Sequence, residues 1–302
     1  MNLKKNMWFV YAVAAGLLWG VFNVLAKFIS LDPYVTHVLF SAGVLCTLPF
    51  VIRKCTRSCF NAKGFLWACL AAVFAIAGNI ALFYAFVKGG QASIVTPVTN
   101  LYPLITILIA VAVFKERLNW INVVGILLAV PAILLLSGET LLFTDPAGFF
   151  KSIGLNEWFL FSLAAIVGWG VFSALQKLAT NYISAEWSYA AFIFTSCVIA
   201  FAFLIAGTVH FNTTNKTLLL GTIGGMINGL GVLASFAAYR AEGKASAVTT
   251  IAGALQPVFT IVLAVLLLKE NFTTVQFLGI LLAIGGSLLL SYEKRRKPIM
   301  AT

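Results

Sequence analysis

Trp19-Gly20-Val21-Phe22-Asn23-Val24-Leu25-Ala26-Lys27 returns 150 positions later as Trp169-Gly170-Val171-Phe172-Ser173-Ala174-Leu175-Gln176-Lys177. Each copy lies in a long apolar run, the composition of a membrane-spanning helix. The echo continues downstream. Ala92-Ser93 through Pro103 to Lys115-Glu116 is answered by Ala245-Ser246 through Pro257 to Lys269-Glu270, and Gly125-Ile126-Leu127-Leu128-Ala129 by Gly279-Ile280-Leu281-Leu282-Ala283. The spacing drifts only from 150 to 154, so one unit is used twice. Residues 1–140 hold the first copy, 141–155 connect, and 156–302 hold the second with its basic tail.

Hydrophobic residues fill 61% of the 302 positions and charged residues 10%; soluble domains run nearer half and a quarter. At about 20 apolar residues per span, such a chain has room for about ten helices and short loops. The spans are predicted near 8–28, 35–52, 64–87, 93–113, 118–136, 157–178, 187–209, 218–241, 247–268 and 275–291. The first is too long for the apolar core of a signal peptide, so it is read as a span. The expected fold is an all-α polytopic membrane protein. Each unit holds five spans, an odd number, so the second must insert with opposite orientation. Inverted repeats characterise many secondary transporters, whose site lies near the midplane between the halves.

The net charge of +11 forms no basic face interleaved with aromatics, which excludes a nucleic-acid partner. The charges sit between apolar runs. Alternate connections receive fifteen and five Lys/Arg residues, the N-terminal side taking Lys4, Lys5, Arg53, Lys54 and the 294–297 cluster among its fifteen. The positive-inside rule then puts both termini in the cytoplasm, and the expected location is a bacterial inner membrane.

The recurring elements resemble the drug/metabolite transporter superfamily, in its ten-helix EamA-type branch. They are Trp19-Gly20, Ala92-Ser93, Pro103, Lys115-Glu116 and Val124-Gly125, with partners Trp169-Gly170, Ala245-Ser246, Pro257, Lys269-Glu270 and Leu278-Gly279. The likeness covers nearly the whole chain. It implies a central cavity open alternately to each side, and a cargo among amino acids, other small metabolites or drugs, often moved outward.

Enzymatic motifs are scarce. Gly243-Lys244 lacks the upstream glycine of a phosphate-binding loop, so neither direct ATP use nor an ATPase subunit is expected. His37 and His210 are far apart, and Cys55 and Cys59 share a loop without nearby histidines, so no cofactor or metal is expected. The expected partners are a small-molecule substrate and membrane lipids. None of the nine acidic residues falls in the middle of a predicted span, which favours facilitated diffusion or exchange over proton coupling. Glu116 and Glu270 read as local charge pairs with the lysines before them.

Uncharged polar stripes carry the site expectation. Thr96, Asn100 and Pro103 share one face of the fourth span, and Gln256 shares one with Thr260 on the ninth. Trp19 with Asn23, and Trp169 with Ser173 and Gln176, form matching stripes on the first and sixth. Asn228, Ser235 and Tyr239 share a face of the eighth; Asn79 and Phe83 share one on the third. Polar groups are costly against lipid, so these faces should point inward, as cavity lining or as glue between helices. Gly221, Gly225 and Gly229 read as a helix-packing face. A small organic solute is expected, with an amino acid or related compound the favoured kind. The rivals are a membrane-embedded receptor or scaffold and an intramembrane enzyme, for which no nucleophile–base pair or metal set is found at midplane depth.

Overall fold

The computed structural model describes residues 7–114, 120–136, 156–242 and 245–290. Lys115, Glu116, the 141–155 connection and the basic tail lie outside them. Among the described residues all regular structure is helical, in ten crossings. The first repeat gives α1 (Met7–Ile29), α2 (Pro33–Cys46, continued by Leu48–Ile52), α3 (Ala62–Val87), α4 (Ala92–Thr99, then Pro103–Phe114) and α5 (Trp120–Leu136). The second gives α6 (Glu157–Thr180), α7 (Ala185–Ile205), α8 (Asn215–Glu242), α9 (Ala245–Leu263, continued by a π turn, Ala264–Leu268) and α10 (Thr274–Leu290). Ten crossings return Leu290 to the face from which Met7 starts, here called the near face.

Local chemistry sets the boundaries. Asp32 caps α2 by accepting from Tyr34 and Val35 N–H, and Pro33 fits the first helical position. In α4, Pro103 has no N–H to give Thr99, and the chain passes from Asn100 to Tyr102 through turns before helix resumes. The freed Asn100 carbonyl accepts instead from Ser287 Oγ on α10, at 3.2 Å. The matching proline of α9 behaves differently. The helix continues through Pro257, and Thr260 Oγ1 donates to the Gln256 carbonyl at 2.9 Å. Its irregularity comes later, as the π turn closed by Lys269 in the left-handed region at φ 57°.

The largest packing surfaces all join one repeat to the other: α3 with α6, α1 with α8, α5 with α10, and α1 with α9. Small residues permit this closeness. Gly225 faces the Phe40 backbone and Gly221 the Leu39 side chain, where an added Cβ would overlap α2. Polar ties reinforce the α2–α7 contact. Ser41 Oγ lies 2.7 Å from Ser196 Oγ, and Tyr189 Oη lies 2.8 Å from Thr47 Oγ1. The outer surface is apolar, with Phe50, Leu66 and Ile205 exposed, as a lipid-facing belt requires.

Candidate functional site

The site is built on a symmetric seat for two indoles. Gly231 of α8 leaves room for Trp19 of α1; an added Cβ would stand 2.7 Å from Trp19 Nε1. Gly78 of α3 does the same for Trp169 of α6, with 2.5 Å to Cδ1. Gly78 and Gly231 are 153 positions apart, the drift of the repeat itself. Each half therefore seats its tryptophan on the other half. Gly20 and Gly170 complete the fit by letting α1 approach Gln256 and Phe259 and α6 approach Tyr102 and Ile105. This packing is the physical reason that Trp-Gly recurs.

Between these seats lies a cavity with about 560 Å³ of empty space, the open solvent at its mouth included. Trp19 and Trp169 form walls, with Phe22, Phe172 and Phe192 as further apolar surface. Its polar groups are Asn79, Ser173, Gln176, Asn228 and Gln256, with Tyr102 and Tyr239 beside them. No Asp, Glu, Lys, Arg or His of the described residues lines it.

Some of these groups are already engaged. Trp169 Nε1 donates to Asn79 Oδ1 at 3.1 Å, and Gln176 Nε2 donates to Ser235 Oγ at 3.0 Å. Tyr102 meets Trp169 edge to face, ring centroids 6.4 Å apart. Among the described residues, the side-chain amides of Asn228 and Gln256, 5% and 6% exposed, make no hydrogen bond. A free amide can donate and accept at once. These two are the groups most available to a solute.

Of the thirteen residues singled out from sequence, Trp19, Asn79, Trp169, Ser173, Gln176, Asn228, Tyr239 and Gln256 meet at this cavity. The other five do not line it. Asn23 Nδ2 donates to Thr96 Oγ1 at 3.3 Å, joining α1 to α4. Asn100 Nδ2 donates to the Thr96 carbonyl at 3.0 Å. Ser235 stands behind Gln176 and fixes it. Phe83 belongs to an aromatic plug in which its ring lies 5.1 Å from that of Phe40 and 6.2 Å from that of Phe22. The aromatic lining residues Phe22, Phe172, Phe192 and Tyr102 belong to none of the polar stripes. Phe22 and Phe172 nevertheless stand in the quoted repeat, and Tyr102 precedes Pro103 as Gln256 precedes Pro257.

Position along the helices gives the cavity its direction. Gln176 and Tyr239 lie close to the near-face ends of α6 and α8, so the cavity runs from mid-bundle toward that face. The far half is filled by a buried apolar cluster including Phe22, Phe40, Phe83 and Phe86. Glu270 adds to this seal. It is 9% exposed, and its two carboxylate oxygens accept from Ala92 N and Ser93 N at 2.9 and 2.8 Å, capping α4 of the other repeat. Lys27 Nζ donates to the Phe86 carbonyl at 3.1 Å beside it. The local pairing of Glu270 with Lys269 expected from sequence is replaced by this cross-repeat cap, because Lys269 turns left-handed.

Comparison with known proteins bears on the whole chain. The sequence profile of the EamA-like transporter family matches residues 6–138 and 156–292. An uncharacterised protein of Methanocaldococcus jannaschii is 30% identical over 132 residues, which is 42% of this chain and 96% of that protein. That match is the size of one repeat. A solved crystal structure superposes with a TM-score of 0.61 at 18% identity, over 93% of this chain and 94% of the other, and so shares its fold.

Proposed function

The chain belongs to the EamA-like transporter family, within the drug/metabolite transporter superfamily of membrane transporters, and from that premise we propose a secondary transporter of a small organic metabolite working by alternating access. One observation carries the mechanism. Positions equivalent in the two repeats have opposite environments. Ser173 and Tyr239 are half-buried and line the cavity, whereas their mates Asn23 and Phe86 are 0% and 2% exposed on the far side; Gln176 borders the cavity and its mate Ala26 does not, although both are buried. Exchanging the conformations of the two repeats would bury the first set and open the second to the far face. That is the complementary state an alternating-access cycle requires. With both termini in the cytoplasm, the cavity seen here faces the cytoplasm.

The lining favours a solute without net charge. No charged residue is present to compensate one, and an unpaired charge in a low-dielectric site is costly. Two indoles supply flat apolar walls, and the amides of Asn228 and Gln256 supply orientation. An amino acid or related zwitterion suits this combination, taken up from the cytoplasmic cavity and released outside. The test is flux in liposomes holding the purified protein, with a panel of amino acids and neutral metabolites. Saturable movement of one class above protein-free liposomes is expected. No movement of any solute, with the protein folded, would contradict the reading.

A further inference from the structure

Beside the cavity, the helix break of α4 leaves a small oxygen-lined notch. Its floor is Gly253 of α9, one turn before Gln256. A Cβ built on Gly253 would meet Ser287 Oγ at 3.7 Å, Asn100 Oδ1 at 3.9 Å and Tyr102 Oη at 4.0 Å. Two oxygens of the α4 break and one of α10 border one small space against α9. Asn100 and Ser287 are 1% and 2% exposed, and Tyr102 is 8% exposed.

The hydrogen bonds fix what this space presents. Asn100 Nδ2 donates to the Thr96 carbonyl, which can only accept, so the amide cannot be turned over without losing that bond. Its Oδ1 is then directed elsewhere, and it is buried without a hydrogen-bond partner. Ser287 Oγ uses its proton on the Asn100 carbonyl, leaving only lone pairs. The notch thus offers at least two acceptors and no committed donor. A buried acceptor left unpaired costs about 1–3 kcal/mol, so a ligand rich in donors, or a bare cation, is what it lacks. Tyr102 borders both the notch and the cavity.

We infer that this notch binds a compact monovalent cation, either the ammonium of the carried solute or a free sodium ion. The inference rests on the transport reading for its purpose but not for its test. An ammonium held here would leave the rest of a zwitterion among the Asn228 and Gln256 amides. A sodium ion would instead be a coupling ion at a broken helix, where such sites are commonly built.

Thermal unfolding of the purified protein separates these sources without any flux measurement. The midpoint is read in sodium chloride, in methylammonium chloride and in choline chloride at equal ionic strength. Sodium raising Tm by about 2–5 °C over choline identifies the free ion; methylammonium alone doing so identifies the solute's ammonium. Gly253→Ala is the decisive variant. Its new methyl meets only ordinary van der Waals contacts, so the fold is retained, but it fills the notch. The variant should keep or raise its Tm in choline and lose the cation-dependent rise, and Ser287→Ala should diminish that rise. Equal Tm in all three salts for the unmodified protein, or a rise that survives Gly253→Ala, overturns the assignment. Failure of the flux test with this rise intact would count against the transport reading alone.

Discussion

Glu270 caps Ser93 across the repeat boundary: a carboxylate at the end of α9 accepts the Ser93 N–H at 2.8 Å and, through its other oxygen, the Ala92 N–H at 2.9 Å. A helix N-terminus carries unsatisfied N–H groups and partial positive charge, so a buried carboxylate is its strongest partner. The contact ties the two repeats together on the closed side of the cavity.

Glu270→Gln should therefore loosen the far face. One amide oxygen can accept, but the amide nitrogen then confronts a backbone N–H. A stability loss of about 1–3 kcal/mol is expected, with more labelling of a cysteine placed at Ala26 from the far face. Unchanged labelling and unchanged Tm would show that the aromatic plug seals this side alone.

Gly78→Ala and Gly231→Ala should each displace the opposite indole. The added methyl would stand 2.5 Å from Trp169 Cδ1 and 2.7 Å from Trp19 Nε1, and a rigid ring can yield only by turning. A misplaced wall should weaken solute affinity about tenfold, the effect of roughly 1.4 kcal/mol, with the helices retained. Wild-type affinity in both variants would remove the tryptophans from the binding surface.

Gln256 and Asn100 should separate under substitution by leucine. Gln256 presents a free amide to the cavity, so Gln256→Leu should abolish transport with little change in Tm. Asn100 holds the Thr96 carbonyl at the α4 break, so Asn100→Leu should lower stability by about 1–3 kcal/mol as well as impair transport. Thermal unfolding alongside flux distinguishes the two. Equal behaviour in both measurements would contradict the different roles.

Flux should not follow an imposed pH difference. No carboxylate or histidine of the described residues lines the cavity, so none there can exchange a proton with solute. Accumulation driven by a pH gradient alone, measured in liposomes, would point to Glu270 or His37 as a coupling group reached by another route.

The fold was legible because its causes are repetitive. Trp19-Gly20 and Trp169-Gly170 recur since each indole needs the same seat, and an odd number of apolar runs per copy forces inversion. The polar stripes were legible where they meet the cavity, as at Asn228 and Gln256. The rest was hidden for a specific reason: two nearly equal sequences adopt unequal conformations. Nothing local tells Ser173, in the open half, from its mate Asn23, in the closed half. Glu270 was obscured by its neighbour, since the left-handed turn at Lys269 sends the carboxylate to another repeat. Phe192 belongs to no polar stripe at all.

Alternating access is tested most directly by paired cysteine labelling during transport. Ala26→Cys and Gln176→Cys occupy equivalent positions of the two repeats, each placed singly in a background without the five native cysteines. The labelling uses a membrane-impermeant reagent on each face in turn. Cysteine 176 should react only from the near face and cysteine 26 only from the far face, and a transported solute that shifts the equilibrium should change the two rates in opposite directions. Reaction of both positions from the same face, or a position 26 that never reacts while solute is moving, would contradict the account.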